Sequence, residues 1–174
     1  AASVPAFWRH HRLPAPANGM RSRGQTRLRR PRCIFAASTQ TSRAGSMPGR
    51  IHNLTLAAER TNGVLVPPGS TYSMLNSLGE ISSATGYDSA YIIQEGRTVL
   101  GAGGGVCQTS TTLFRAVLNA GLPVVTRYPH AYRVKYYEIE SQLGMDATIF
   151  APSVDFRFKN DTPNYILVQS SWNL

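Results

Sequence analysis

Four glycines within five residues lead to a cysteine, and this stretch constrains the fold more than any other part of the 174-residue chain. Glycine reaches backbone conformations and close contacts that a Cβ would forbid. Four hydroxyl residues follow soon after the cysteine, Cys107, and then an apolar stripe at helical spacing. The segment from Gly101 to Leu118 therefore predicts a tight turn that places Cys107 at the start of a helix.

A cysteine at a helix start is chemically distinctive, because the unpaired amides and the positive end of the helix dipole favour the thiolate. The same amides are suited to binding an oxyanion. The candidate oxyanion and pocket residues are Gly104, Gly105, Gln108, Ser110 and Thr111. A structural interpretation stays open, since a cysteine at a glycine-rich bend is often a small buried apolar residue.

A nucleophilic cysteine needs a base and a group that orients the base. His130 follows Cys107 by 23 residues, after a predicted strand, and Asp146 follows His130 by 16 residues, at the start of another. We therefore predict the catalytic set Cys107, His130 and Asp146, whose chain order resembles that of transglutaminase-like and related papain-like enzymes. Two alternatives stay open: His130 and Asp146 are ordinary loop and turn residues, or His52 is the base.

The rest of the pattern predicts an α+β fold in which the Cys107 helix packs on a mostly antiparallel sheet. A helix is predicted at 51–62, and a hairpin at 91–100 around a glycine turn. Further strands are predicted at 64–66, 123–128, 132–137, 146–150, 154–159 and 165–169.

Charge divides the chain into two parts. The first 50 residues contain ten arginines and no lysine or acidic residue, whereas the remainder has eight basic and nine acidic residues. We interpret residues 1–34 as a disordered Arg-rich leader or a mispredicted start, and 35–174 as the folded domain. The arginines could also form a nucleic-acid-binding arm, but lysine is lacking and aromatic residues are few. We therefore expect no nucleic-acid partner.

Several kinds of site are missing from the sequence. It has no P-loop, no Rossmann fingerprint and no metal-binding pair of histidines. Its two cysteines, Cys33 and Cys107, are too few for a cysteine-rich zinc site, and we expect both to be free thiols. No segment has the length of a membrane span or the apolar core of a secretory signal. The sequence therefore predicts no metal, no cofactor and no membrane span.

Several blocks together resemble the VanW family, over about residues 35–172. The blocks are Arg50-Ile51-His52-Asn53-Leu54, Asn62-Gly63, Pro68-Gly69-Ser70-Thr71-Tyr72-Ser73, Gly103-Gly104-Gly105-Val106-Cys107-Gln108, Pro129-His130, Asp146-Ala147-Thr148 and Asp155-x-x-Phe158-x-Asn160. The Gly-Gly-Gly-Val-Cys-Gln block is the most specific of them.

This resemblance implies an extracytoplasmic protein of the bacterial cell envelope. The family is named after an accessory protein of vancomycin-resistance clusters, and its members are often membrane-anchored and joined to peptidoglycan-binding domains. It implies peptidoglycan or its stem peptides as the partner. Two hypotheses follow: a Cys107-dependent enzyme that transfers acyl groups or hydrolyses amides in those peptides, or a non-catalytic module that binds them.

Overall fold

A computed structural model describes residues 45–94, 96–138 and 141–172. The Arg-rich segment 1–34, with Cys33, lies outside the described residues, so its interpretation stays a prediction. The described part is α+β, and its strand pairs are antiparallel, as the sequence predicts. None of its helices is both long and apolar enough to cross a membrane.

Three helices and seven short strands make up the described fold. The helices are α1 (Pro48–Thr61), α2 (Met74–Leu78) and α3 (Val106–Asn119). The strands are β1 (Val64–Val66), β2 (Thr71–Ser73), β3 (Ser89–Gln94), β4 (Arg97–Ala102), β5 (Val124–Thr126), β6 (Arg157–Lys159) and β7 (Ile166–Val168). Single 3-10 turns lie at Ser83–Thr85 and Lys135–Tyr137.

The strands form three small sheets instead of the single sheet expected. β1 pairs with β7, β6 lies between β2 and β5, and β3 and β4 form the predicted hairpin. Phe114 of α3 packs edge-on against Phe156, with ring centroids 5.7 Å apart, and Phe158 of β6 stacks on Tyr72 of β2 at 4.9 Å. The Cys107-bearing helix α3 therefore packs against the β2–β6–β5 sheet.

Two predicted strands were wrong. Residues 132–137 do not form a strand but end in the 3-10 turn Lys135–Tyr137, with Tyr137 buried. Residues 146–150 form no ladder, and only isolated bridges at Thr148 and Phe150 pair there. In both segments side chains of α3 bind backbone groups, as described below, and no strand ladder forms.

Candidate active site

The glycine turn sets the position of Cys107. Gly105 precedes α3 with φ +108°, a conformation that glycine adopts at little cost. A Cβ on Gly104 would lie 2.6 Å from the carbonyl carbon of Ala90 and 2.7 Å from the carbonyl oxygen of Tyr91, both in β3. The turn therefore rests directly on the hairpin, and Cys107 lies in the first turn of α3.

Asn53 of α1 holds the same turn by hydrogen bonds. Its Nδ2 donates to the carbonyl of Gly104 at 3.0 Å and to that of Asp88 at 2.9 Å, and its Oδ1 accepts from the Asp88 amide at 2.8 Å. Asn53 is fully buried. Since buried amides must be hydrogen-bonded, this residue fixes α1, the hairpin and the glycine turn together.

The structure brings Cys107, His130 and Asp146 together. The Nδ1 of His130 lies 2.6 Å from Oδ2 of Asp146, and the same oxygen accepts the backbone amide of His130 at 2.8 Å. His130 also interacts with the Cys107 thiol, and this interaction lowers the pKa of the thiol and raises the pKa of His130. The side chain of His130 is only 5% exposed. His130 thus interacts with both Cys107 and Asp146, and its hydrogen bond to Asp146 is the short one.

The thiol has two further polar neighbours. Cys107 Sγ lies 3.5 Å from the hydroxyl of Thr148 and 3.5 Å from the carbonyl oxygen of Ile149. Both belong to the segment that begins at Asp146. Cys107 as a whole is half-buried. Its sulfur is therefore held against the Asp146 segment while part of the residue stays accessible.

The electrostatics of the three groups favour a thiolate–imidazolium pair. Burial of Cys107 disfavours the thiolate, but the hydrogen bond and charge of His130 outweigh it and lower the pKa of Cys107. Burial also opposes the imidazolium, but hydrogen bonds to Asp146 and Cys107 raise the pKa of His130 to about 9. Burial disfavours the carboxylate in turn, yet the hydrogen bonds from His130 lower the pKa of Asp146.

Arg127 holds Asp146 in place, and the sequence analysis missed it. Its Nη2 donates to Oδ1 of Asp146 at 3.1 Å, and its Nε donates to the Asp146 carbonyl at 2.6 Å. Nη2 also donates to the carbonyl of Gly144. The carboxylate is thereby fixed from both sides, with one oxygen on Arg127 and the other on His130.

The backbone amides at the start of α3 differ in their bonding. Within the described residues, the Val106 amide donates to Gly103 and the Gln108 amide to Gly105, whereas no backbone carbonyl pairs with the Cys107 amide. The Gln108 side chain is fully buried.

No group of three or more His, Cys, Asp or Glu in the described residues is arranged to hold a metal ion.

Residues 49–173 carry the whole arrangement, and they match the family model described as VanW like protein. The chain belongs to the VanW family. It is 40% identical over 125 residues to the uncharacterized protein YoaR of Bacillus subtilis, and 33% identical over 115 residues to the vancomycin B-type resistance protein VanW of Enterococcus faecalis.

These alignments cover 72% and 65% of this VanW-family chain, but only 40% and 42% of YoaR and of the E. faecalis protein. The chain therefore spans about two fifths of the length of the curated relatives it matches. No solved structure matches it.

Two hydroxyls of this VanW-family helix clasp the Asp146 segment. Ser110 donates to the Ala147 carbonyl at 2.6 Å and to the Cys107 carbonyl at 3.0 Å. Thr111 donates to the Ala147 carbonyl at 3.3 Å and accepts the Ala147 amide at 3.1 Å. Both side chains are fully buried. They hold the backbone next to Asp146 at a set distance from the helix that carries Cys107.

Arg115 continues this clasp, and the sequence analysis missed it too. Its Nε donates to the Met145 carbonyl at 2.8 Å and its Nη2 to the Tyr137 carbonyl at 2.5 Å. The Tyr137 ring in turn packs on His130, with centroids 5.4 Å apart. The signal in the sequence is a row of polar residues three and four apart, Gln108, Thr111 and Arg115, on one face of an otherwise apolar helix.

The alternative base, His52, lies elsewhere. It is exposed on α1, and its Nε2 is 2.8 Å from the carbonyl oxygen of Gly86. This bond anchors α1 to the loop before β3, and no described contact joins His52 to Cys107. His52 is therefore a natural control for experiments on His130.

Replacing Thr111 with valine should lower the free energy of unfolding by about 1–3 kcal/mol, because the buried Ala147 amide loses its acceptor. The matched control is Thr112→Val. The hydroxyl of Thr112 bonds only the Gln108 carbonyl of its own helix, at 2.7 Å, so its loss should cost less than about 1 kcal/mol. Urea unfolding of both variants measures the difference, and equal losses would contradict the proposed clasp.

Proposed function

We propose that this VanW-family chain is a cysteine-dependent enzyme that transfers acyl groups or hydrolyses amides. Cys107 is the nucleophile, His130 the acid and base, and Asp146 the group that orients His130. The observation that carries the proposal is the 2.6 Å contact between His130 and Asp146, together with the interaction by which His130 lowers the pKa of the Cys107 thiol. The resemblance to transglutaminase-like and papain-like enzymes lies in this order of groups.

The geometry supports a two-step reaction. The Cys107 thiolate attacks the acyl carbon, and the imidazolium of His130 gives its Nε2 proton to the departing amine as the carbon–nitrogen bond breaks. A thioester on Cys107 remains. Water or an acceptor amine then gives a proton to His130 and attacks the thioester, which releases the acid or new amide and restores the thiolate.

The Cys107 amide is the oxyanion donor that we assign among the backbone amides of residues 105–108. The amides of Val106 and Gln108 already donate to carbonyls at 3.1 and 2.8 Å, so they are less suited to this role. The Cys107 amide also lies in the first turn of α3, where the helix dipole favours negative charge.

Family membership supports the substrate class. One relative is named as a vancomycin B-type resistance protein, and the family resemblance implies an extracytoplasmic place in the cell envelope. We therefore propose that the substrates are stem peptides of peptidoglycan. An amide or peptide bond in such a stem is a substrate that the two-step reaction can use.

The proposal is tested with stem peptides released from purified peptidoglycan and with hydroxylamine as the acceptor. We expect a hydroxamate product and a thioester on the protein detected by intact mass. Both should vanish in Cys107→Ala and persist in His52→Ala, which removes the exposed histidine of α1. The same product from Cys107→Ala would contradict the proposal. Peptide binding without a thioester, unaffected by Cys107→Ala, would favour the non-catalytic binding module.

A further inference from the structure

A series of contacts links the glycine turn that precedes Cys107 to His130, and it includes a cation outside the Cys–His–Asp group. The stem of Arg50 lies against the glycine turn, because a Cβ on Gly105 would be 2.8 Å from its Cγ. The guanidinium then reaches Tyr136, with Nη2 3.3 Å from the hydroxyl and Cζ 5.2 Å from the ring centroid.

Two aromatic contacts continue this series to His130. Tyr136 packs edge-on against Tyr137, with centroids 4.7 Å apart, and Tyr137 packs on His130 at 5.4 Å. His130 pairs with Cys107. Arg50 and Tyr136 therefore lie between the glycine turn and the Tyr137 ring that packs on His130.

The Arg50–Tyr136 pair is open to solvent, and its positive charge has no counter-ion among the described residues. Tyr136 is 52% exposed, whereas Tyr137 behind it is buried. Among the described residues the ion pairs involve Arg127, His130, Arg133 and Arg157, and no carboxylate pairs with Arg50. The one further described partner of its guanidinium is the neutral hydroxyl of Ser46, at 3.1 Å.

We propose that Arg50 and Tyr136 form a subsite that binds a carboxylate of the acyl substrate, an inference that rests on the proposed function of Cys107. A guanidinium and a phenol hydroxyl are both hydrogen-bond donors, and guanidinium geometry matches a carboxylate. A substrate carboxylate at this position would lie close to the glycine turn that precedes Cys107. It would select peptides that carry a free carboxylate near the bond to be broken.

The test uses two alkylating agents of nearly equal size, iodoacetate and iodoacetamide, on the Cys33→Ser protein so that Cys107 is the only thiol. Their rate ratio isolates recognition of the carboxylate, because a change in thiolate fraction affects both rates equally. In Arg50→Met, which keeps an unbranched side chain against Gly105, the iodoacetate-to-iodoacetamide ratio should fall about three- to fivefold.

The matched control is Arg157→Met, which removes one exposed positive charge from β6, and its ratio should stay at the parent value. An unchanged ratio in Arg50→Met would overturn the subsite, even if Cys107 alkylates quickly and the proposed function stands. The ratio can be read whatever the absolute rate of Cys107. Slow alkylation of Cys107 would therefore count against the proposed function, and the rate ratio would still test the role of Arg50.

A measurement without any substitution at Arg50 guards against a variant that fails to fold. N-acetylglycine, which carries a main-chain carboxylate, should slow alkylation by iodoacetamide more than N-acetylglycinamide at equal concentration. N-acetylaspartic acid α-amide presents a side-chain carboxylate, so its effect tells which source of carboxylate the subsite prefers. Equal effects of all three compounds would overturn the proposal.

Discussion

Replacing His130 with alanine should slow the alkylation of Cys107 by iodoacetamide about 100-fold at neutral pH. His130 lowers the pKa of Cys107 against the opposing effect of burial. Without the imidazolium the burial remains, so the pKa of the thiol rises above its ordinary value and little thiolate is left. The alkylation rate falls less than the thiolate fraction does, because a thiolate with a higher pKa is intrinsically more nucleophilic.

His52→Ala is the control for this experiment, because His52 is exposed and bonds the Gly86 carbonyl instead of the thiol. Its alkylation rate should match that of the parent protein. All variants carry Cys33→Ser. An alkylation rate in His130→Ala close to that of the parent would mean that His130 does not lower the pKa of Cys107. This result would contradict the assignment of His130 as the base.

Replacing Gly104 with alanine should lower the free energy of unfolding by about 3 kcal/mol. The added methyl would lie 2.6 Å from the Ala90 carbonyl carbon and 2.7 Å from the Tyr91 oxygen. Both are backbone atoms of β3, so no side chain can rotate away. The turn or the hairpin must shift, and Cys107 would move with the turn.

Gly63→Ala separates this clash from the general cost of losing a glycine. Gly63 has φ +83°, with nothing within 4 Å of an added Cβ. Its substitution should therefore cost about 1 kcal/mol, the strain of a left-handed alanine. Thermal or urea unfolding compares the two variants. If Gly104→Ala costs no more than Gly63→Ala, the glycine turn does not rest on the hairpin as described.

The parts of this fold that the sequence predicts well are those with local causes. The helix after the glycine turn begins at Val106, where Gly105 supplies the left-handed residue. The hairpin β3–β4 turns at Gly96, which has φ +72°. The predicted helix at 51–62 is also present, although α1 begins earlier because Pro48 suits a first helical turn.

The two wrong strands have distant causes. Residues 146–150 alternate as a strand would, but Ser110 and Thr111 occupy the backbone groups of Ala147, so no ladder can form there. The alternation at 132–137 is interrupted because Arg115 binds the Tyr137 carbonyl. Neither partner is near its target in sequence, and propensity alone does not reveal such contacts.

The candidate site also combines residues that the sequence predicts with residues that it does not. Cys107, His130 and Asp146 are chosen on chemistry and spacing; the structure pairs His130 with Asp146 at 2.6 Å, and His130 lowers the pKa of Cys107. Arg127 and Arg115 were missed, because an arginine next to a strand or on a helix is ordinarily exposed to solvent. Their role is visible only once the carbonyls that they bind are known.

The most direct test of the thiolate–imidazolium pair is the pH at which Cys107 is half ionised, measured by the ultraviolet absorbance of the thiolate in the Cys33→Ser protein. The pairing with His130 predicts a midpoint clearly below that of an ordinary thiol, and a rise in that midpoint in His130→Ala. A midpoint at or above the ordinary value in the Cys33→Ser protein would contradict the thiolate–imidazolium pair. It would also contradict the assignment of Cys107 as the nucleophile.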